Sequence, residues 1–101
     1  MNANAHLTIV VTDSTQVGAA RRAAVALSRQ AGLDETCGGR VALATTELAT
    51  NLDRHAKHGL LLLRVVGDPA CCGVEVIAID RGPGMANVEL CMVDGFTTGT
   101  S

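Results

Sequence analysis

Hydrophobic positions along the chain switch between two periods, and the switching predicts the elements. His6 to Thr12 (HLTIVVT) is rich in β-branched residues and reads as a strand, closed by Asp13 and Ser14, both good helix N-caps. Val17, Ala20, Ala24, Leu27 and Ala31 then recur at the i, i+3, i+7 spacing of one helical face. Arg21, Arg22 and Arg29 lie largely off that face, and Gly32 supplies the stop. A second helix begins near Asp34. Gly38 and Gly39 weaken its first turn, so its secure part runs from Arg40 to Lys57, and it ends at Gly59. Leu60 to Val66 (LLLLRVV) is an almost unbroken apolar run of strand length, the pattern of a strand covered on both faces or a central one. Gly67-Asp68-Pro69 turns the chain into another strand, with Val74, Val76 and Ala78 on one side, Ile77 and Ile79 on the other, and Asp80 at its end. Ala86 to Val93 (ANVELCMV) is expected to form a short helix, and Asp94 to Ser101 (DGFTTGTS) a loop. The pattern as a whole predicts an α+β two-layer sandwich, with helices packed on one face of a small sheet.

Composition narrows the class. A chain of 101 residues with 48% hydrophobic and 18% charged content makes one compact domain, 1–101. A formal net charge of −2 gives no field that attracts nucleic acid or an anionic membrane, and no window of about 18 uncharged apolar residues is present to span one. The N-terminus has no basic stretch ahead of an apolar run, so no secretion signal is expected and the protein is read as soluble and cytoplasmic. Phe96 is the single aromatic residue, which makes the core aliphatic and removes the base stacking on which most single-stranded nucleic-acid binding relies. Cys37, Cys71, Cys72 and Cys91 match neither a C-x-x-C zinc pattern nor a spaced disulfide framework and are read as reduced thiols. A metal site joining them with His6, His55 or His58 lacks any ligand pair of recognised spacing.

Two stretches carry candidate chemistry. In the second helix, Val41, Ala44, Leu48 and Leu52 form the core-facing stripe, and Glu47 and Asn51, four residues apart, share a neighbouring edge. A carboxylate beside an amide suits a hard divalent cation, which takes oxygen ligands and binds a phosphate chain through only one or two protein groups. Asn51 can offer its carbonyl oxygen to the cation, and Glu47, free of it, can accept a proton from an attacking hydroxyl or water. Taken alone, such a pair is also an ordinary solvated helix edge. His55 projects near the middle of the stripe and is read as a core histidine. In the second stretch, EVIAIDRGPGM, Asp80 ends an alternating apolar strand, and Gly82 and Gly84 remove Cβ atoms from the following turn, which lets backbone approach a flat or anionic ligand. The poorly solvated Asp80 carboxylate needs a donor, either a backbone N–H of a tight turn or the amine of a bound base. An Asx-type turn after a strand gives the same D-x-G-x-G pattern.

The two stretches together, in this order, resemble the GHKL superfamily of ATPases and kinases, and within it the RsbT-like and anti-sigma-factor serine kinases of bacterial partner-switching pathways. Glu47, Asn51, His55 and Ala56 match that family's N box, and Asp80, Gly82 and Gly84 its G1 box, with the RGPGM wording of the RsbT-like branch. Asp94-Gly95-Phe96-Thr97-Thr98-Gly99 looks like the start of the family's lid. The resemblance runs from Asp13 to the C-terminus and implies a GHKL sandwich with helices on one face of a mixed sheet. It also implies ATP and Mg²⁺ as cofactors, with Glu47 as the catalytic base and Asn51 as the metal ligand. Asn51, Asp80, Gly82, Gly84, Met85, Thr97 and Thr98 are the implied nucleotide-binding residues. The implied reaction is phosphorylation of a serine or threonine on a STAS-domain antagonist, with a sigma factor as an alternative partner.

The resemblance has departures. The sequence stops at Ser101, where the family continues into a second glycine box, a last helix and further strands. That box holds phosphates through backbone N–H groups at a helix N-terminus, so a weak phosphate grip is expected here. The expected sheet then has about three strands, leaving part of the apolar LLLL run for a partner or a second copy to cover. Asp53 stands where relatives usually carry an apolar residue. The alternative function is a regulatory module that binds a sigma factor or STAS partner without ATP turnover. A fragment of a sensor histidine kinase fits less well, because the chain has no dimerisation helix with a phosphoacceptor histidine.

Overall fold

Local capping chemistry decides where the helices begin. In the computed structural model, which describes residues 6–55, 59–68, 71–80, 86–93 and 96–100, strand β1 (His6–Val11) leads into helix α1 (Thr15–Gln30) through a reciprocal cap. Asp13 Oδ1 accepts the Thr15 N–H at 2.7 Å, while Gln16 Oε1 accepts the backbone N–H groups of Thr12 at 3.0 Å and Asp13 at 2.8 Å. This is a capping box, in which each side chain satisfies donors that the first turn leaves orphaned. Of the two predicted caps, Asp13 does the work; Ser14 makes no side-chain cap bond. Helix α1 closes at Gly32, whose φ of 77° lies in the left-handed region. The Gly32 N–H donates to the Arg29 carbonyl at 3.1 Å and the Leu33 N–H to the Ser28 carbonyl at 3.0 Å, a Schellman closure.

Helix α2 (Glu35–His55) starts five residues earlier than the secure part read from the sequence. Asp34 Oδ1 accepts the Cys37 N–H at 2.8 Å and holds the first turn, and Cys37 and Val41 bury one side of it. Capping and burial together outweigh the helix penalty of Gly38 and Gly39, about 1 kcal/mol each.

Three further hairpin-connected ladders follow, from β2 (Gly59–Asp68), β3 (Cys71–Asp80), β4 (Ala86–Val93) and β5 (Phe96–Thr100). The sheet order is β1-β2-β3-β4-β5, and each neighbouring pair is antiparallel. The α+β sandwich is as expected, but the sheet has five antiparallel strands where about three strands of a mixed sheet were anticipated. The difference lies at the C-terminal end: ANVELCMV is strand rather than helix, and FTTGT is strand rather than loop. Val88, Leu90 and Met92 recur every second residue, and the register sets them opposite Ala78, Val76 and Val74, the buried row of β3. An eight-residue helix is marginal by itself, whereas the edge of β3 offers a full ladder of backbone partners, and β4 then offers the same to the threonine-rich tail.

Both helices lie on one face of the sheet. Leu61, Leu63, Val74, Val76 and Ala78 point into that layer and meet Ala20, Ala24, Leu27, Val41, Leu48, Ala49 and Leu52. The stripe of α2 is rotated slightly from the one read in the sequence: Thr45 is fully buried and Ala44 only partly. Thr45 Oγ1 has no hydrogen-bond partner among the described residues. A buried hydroxyl without a partner carries its full desolvation penalty. Thr45→Val is therefore expected to stabilise the domain by about 1 kcal/mol and raise its melting temperature by roughly 4–8 °C, read by calorimetry; an unchanged or lower melting temperature contradicts the assignment.

The caps also set an acid limit. The Thr15 hydroxyl and backbone N–H hold the Asp13 carboxyl below the usual carboxylate range, and the Cys37 backbone N–H does the same for Asp34. A lowered folded-state pKa stabilises the fold above the unfolded value of about 4 and loses that contribution as pH falls through the folded value. Asp13→Ala and Asp34→Ala are thus expected to lower the melting temperature at neutral pH, with the gap to wild type closing below about pH 4.

Candidate functional site

The site read from the sequence is split between the C-terminal half of α2 and the far end of β3. Glu47 and Asn51 are both exposed on α2, one turn apart, beside the stripe in which Leu48 and Leu52 are buried. Burial of the two leucines fixes the rotation of the helix, and that rotation directs the carboxylate and the amide outward along one edge. Asp80 is the last residue of β3 and is half-buried.

What brings the two stretches together is Gly59. Its Cα is in register with Asp80 across the β2–β3 ladder. On its other side it packs against α2 so closely that an added Cβ would lie 2.9 Å from Leu52 Cβ and 3.2 Å from Leu52 Cδ2. Leu52 follows Asn51, so the Asn51 end of α2 and the Asp80 end of β3 meet at the same end of the sheet. The sequence showed Gly59 only as a helix stop; its position just after the helix and at the head of an apolar strand was the available signal for close helix–sheet packing.

The remaining predicted residues divide. Ala56, Gly82, Gly84 and Met85 lie outside the described residues. Arg81–Met85 are the five residues that connect Asp80 to Ala86, which pair with each other as the ends of β3 and β4. Thr97 and Thr98, expected in a lid loop, stand in β5 in register with Met92 and Cys91, with β4 between them and β3. His55, read as a core histidine, is exposed, because it is the last residue of α2 and the stripe ends with Leu52. Asp53 is half-buried.

The donor set fits a hard cation with a phosphate chain: one carboxylate and one amide oxygen on an open helix edge leave room for water and phosphate oxygens, as Mg²⁺ requires. These residues are carried by a helix laid across an antiparallel sheet, an α+β arrangement. Residues 10–94, most of the chain, match the histidine kinase-like ATPase domain family, and the chain belongs to that family, the GHKL superfamily. It is 32% identical over 80 residues to the serine/threonine-protein kinase RsbT of Bacillus subtilis (strain 168), an alignment covering 79% of this chain and 60% of that protein. The chain thus spans about 60% of the length of the curated relative it matches. No solved structure gives a significant match.

The close approach at Gly59 is testable. Leu52 Cβ belongs to the helix frame and cannot swing away, so Gly59→Ala must shift α2 from the sheet. The expected cost is about 1–3 kcal/mol in urea unfolding, with an unchanged m-value.

Proposed function

We propose that the chain binds Mg-ATP between the Asn51 edge of α2 and the Asp80 end of β3, and that it phosphorylates a serine or threonine of a STAS-domain anti-sigma antagonist. The observation that carries this reading is the convergence of the two boxes through Leu52, Gly59 and Asp80. The identity to RsbT, whose name makes it a serine/threonine kinase, supports the reaction type.

Each residue has a role its chemistry suits. Asp80 accepts a hydrogen bond from the exocyclic amine of adenine, and Gly82 and Gly84 let the ring approach the backbone. Asn51 offers its carbonyl oxygen to the magnesium ion, which when bound neutralises phosphate charge. Glu47, exposed and one turn away, accepts the proton of the acceptor hydroxyl as that oxygen bonds to the γ-phosphorus and the bond to the β–γ bridging oxygen breaks, leaving ADP. In phosphoryl transfer the protein mainly positions groups and balances charge, so one base and one metal ligand suffice as side-chain chemistry. No helix among the described residues is long and apolar enough to cross a membrane, and we place the reaction in the cytoplasm, where a sigma factor or its antagonist is met.

Titration calorimetry with Mg-ATP tests the reading. Asp80→Ala and Asn51→Ala should each weaken binding about tenfold or more, since each removes a hydrogen bond or ligand to a charged or buried group. Glu47→Gln should leave binding within about twofold and lower transfer of labelled phosphate by about 10²–10⁴. Binding unchanged by Asp80→Ala refutes the adenine assignment. Tight ATP-independent capture of the partner with no phosphate transferred would make the chain a non-catalytic regulatory module.

A further inference from the structure

The side chains assigned to the nucleotide leave a charge imbalance. Glu47 and Asp80 are carboxylates and Asn51 is neutral, so the three bring two negative charges and no positive one to a polyanionic ligand. Helix polarity adds to the difficulty. Asn51 stands in the C-terminal half of α2, where the backbone carbonyls present the negative end of the helix dipole, equivalent to about half an elementary charge. An anion held there needs a cation supplied by the same surface.

Arg54 stands where that cation is required. It is exposed, in the last turn of α2, and among the described residues no ion pair engages it. At about 100° per residue it falls within about 20° of Glu47 and about 60° of Asn51 around the helix axis. Positions three apart bring their Cβ atoms within about 5–6 Å, so a guanidinium at Arg54 reaches an oxyanion held beside Asn51. Position along the axis is equally specific. At about 1.5 Å per residue, Asn51 lies about 6 Å beyond Glu47, and Arg54 about 4.5 Å further still, towards the end of the sheet where Gly59 and Asp80 are in register. Glu47, Asn51, Arg54 and Asp80 thus succeed one another in the order of γ-phosphate, bridging cation, inner phosphate and adenine. The other arginine of α2, Arg40, is about 21 Å nearer the opposite end of the helix.

We infer that Arg54 is a phosphate-binding residue whose guanidinium holds the non-bridging oxygens of the α-phosphate. The role rests on the Mg-ATP binding proposed above and extends it to the inner phosphate. A planar guanidinium fork presents parallel N–H donors to two oxygens of one phosphate, and its charge is matched there in full. Without ligand, the same charge offsets the carbonyl end of α2. The α-phosphate is common to ATP, ADP and AMP, so it becomes a determinant of affinity for all three, and the γ-phosphate is left to the metal ion. ADP keeps the contact after transfer and therefore competes with ATP.

Titration of the chain with adenosine, AMP, Mg-ADP and Mg-ATP, followed by NMR, tests the assignment. Arg54→Gln keeps a polar side chain and removes the charge. With its fold checked by circular dichroism, it should weaken AMP, Mg-ADP and Mg-ATP each by about tenfold or more and leave adenosine within about twofold. Arg54→Lys should restore part of the loss, and the restored part should shrink at high salt, because a point charge replaces the fork. Arg40→Gln should leave every affinity unchanged, which separates a local contact from the effect of net charge. A loss confined to Mg-ATP overturns the assignment by placing Arg54 at the outer phosphate. A loss that includes adenosine overturns it by making the role structural, and no loss overturns it outright. If the wild type binds none of the ligands, the Mg-ATP reading falls and the role of Arg54 with it. If Asp80→Ala weakens adenosine and the nucleotides alike while Arg54→Gln weakens none, the Mg-ATP reading stands and Arg54 alone is misassigned.

Discussion

The contact of Leu52 with Gly59 is the constraint on which the rest of the structure depends. With one aromatic residue in the chain, the described core is aliphatic, with no aromatic ring to hold its layers apart, and the helices come close to the sheet to exclude water. Alanines 20, 24 and 49, each fully buried, allow that approach along the helices, and Gly59 allows it at the sheet. Close packing then leaves α2 one rotation and one height over β2. Because β2 is locked to β3 by a ten-pair register, the position of α2 also fixes the distance from Asn51 to the end of β3. The aliphatic core and the convergence of the two boxes are therefore one geometric fact.

Much of this was legible in the sequence, and the exceptions have a common cause. Asp13, Gly32 and Asp34 are local signals, and each does what its chemistry predicts. The alternation of Val74, Val76 and Ala78 is similarly unambiguous, since those residues are buried on one face. The segment ANVELCMV is different: it is short, and its state depends on whether an open strand edge is available to it. That edge belongs to β3, whose far side is visible only once β2 has taken the near one. Gly38 and Gly39 misled for a related reason, because propensity was weighed without the burial of Cys37 and Val41. Exposure of His55 was hidden by helix length, since a periodic stripe does not announce the turn at which the sheet beneath it ends.

The candidate site was legible in composition but not in assembly. Glu47 and Asn51 share an edge because four residues make about one turn, and nothing more was needed to pair them. Their relation to Asp80 has no periodicity behind it. It passes through a strand, a register and a close approach, and only Gly59 takes part in all three. The acid and amide stand on a helix whose rotation is fixed by the burial of Leu48 and Leu52. Asp80 ends β3, in register with Gly59.

The two faces of the sheet obey different rules, and β2 shows why. On the helical side, Leu61 and Leu63 pack into a continuous aliphatic layer where a charge would have no partner. On the other side, Arg64 interrupts the leucines, and Glu75 answers it from the neighbouring strand. A buried carboxylate is costly unless its charge is matched, and Arg64 supplies that match for Glu75 beside Leu62, Val66 and Ile77. The arginine is what lets Glu75 stay 8% exposed on the face that the two helices leave open.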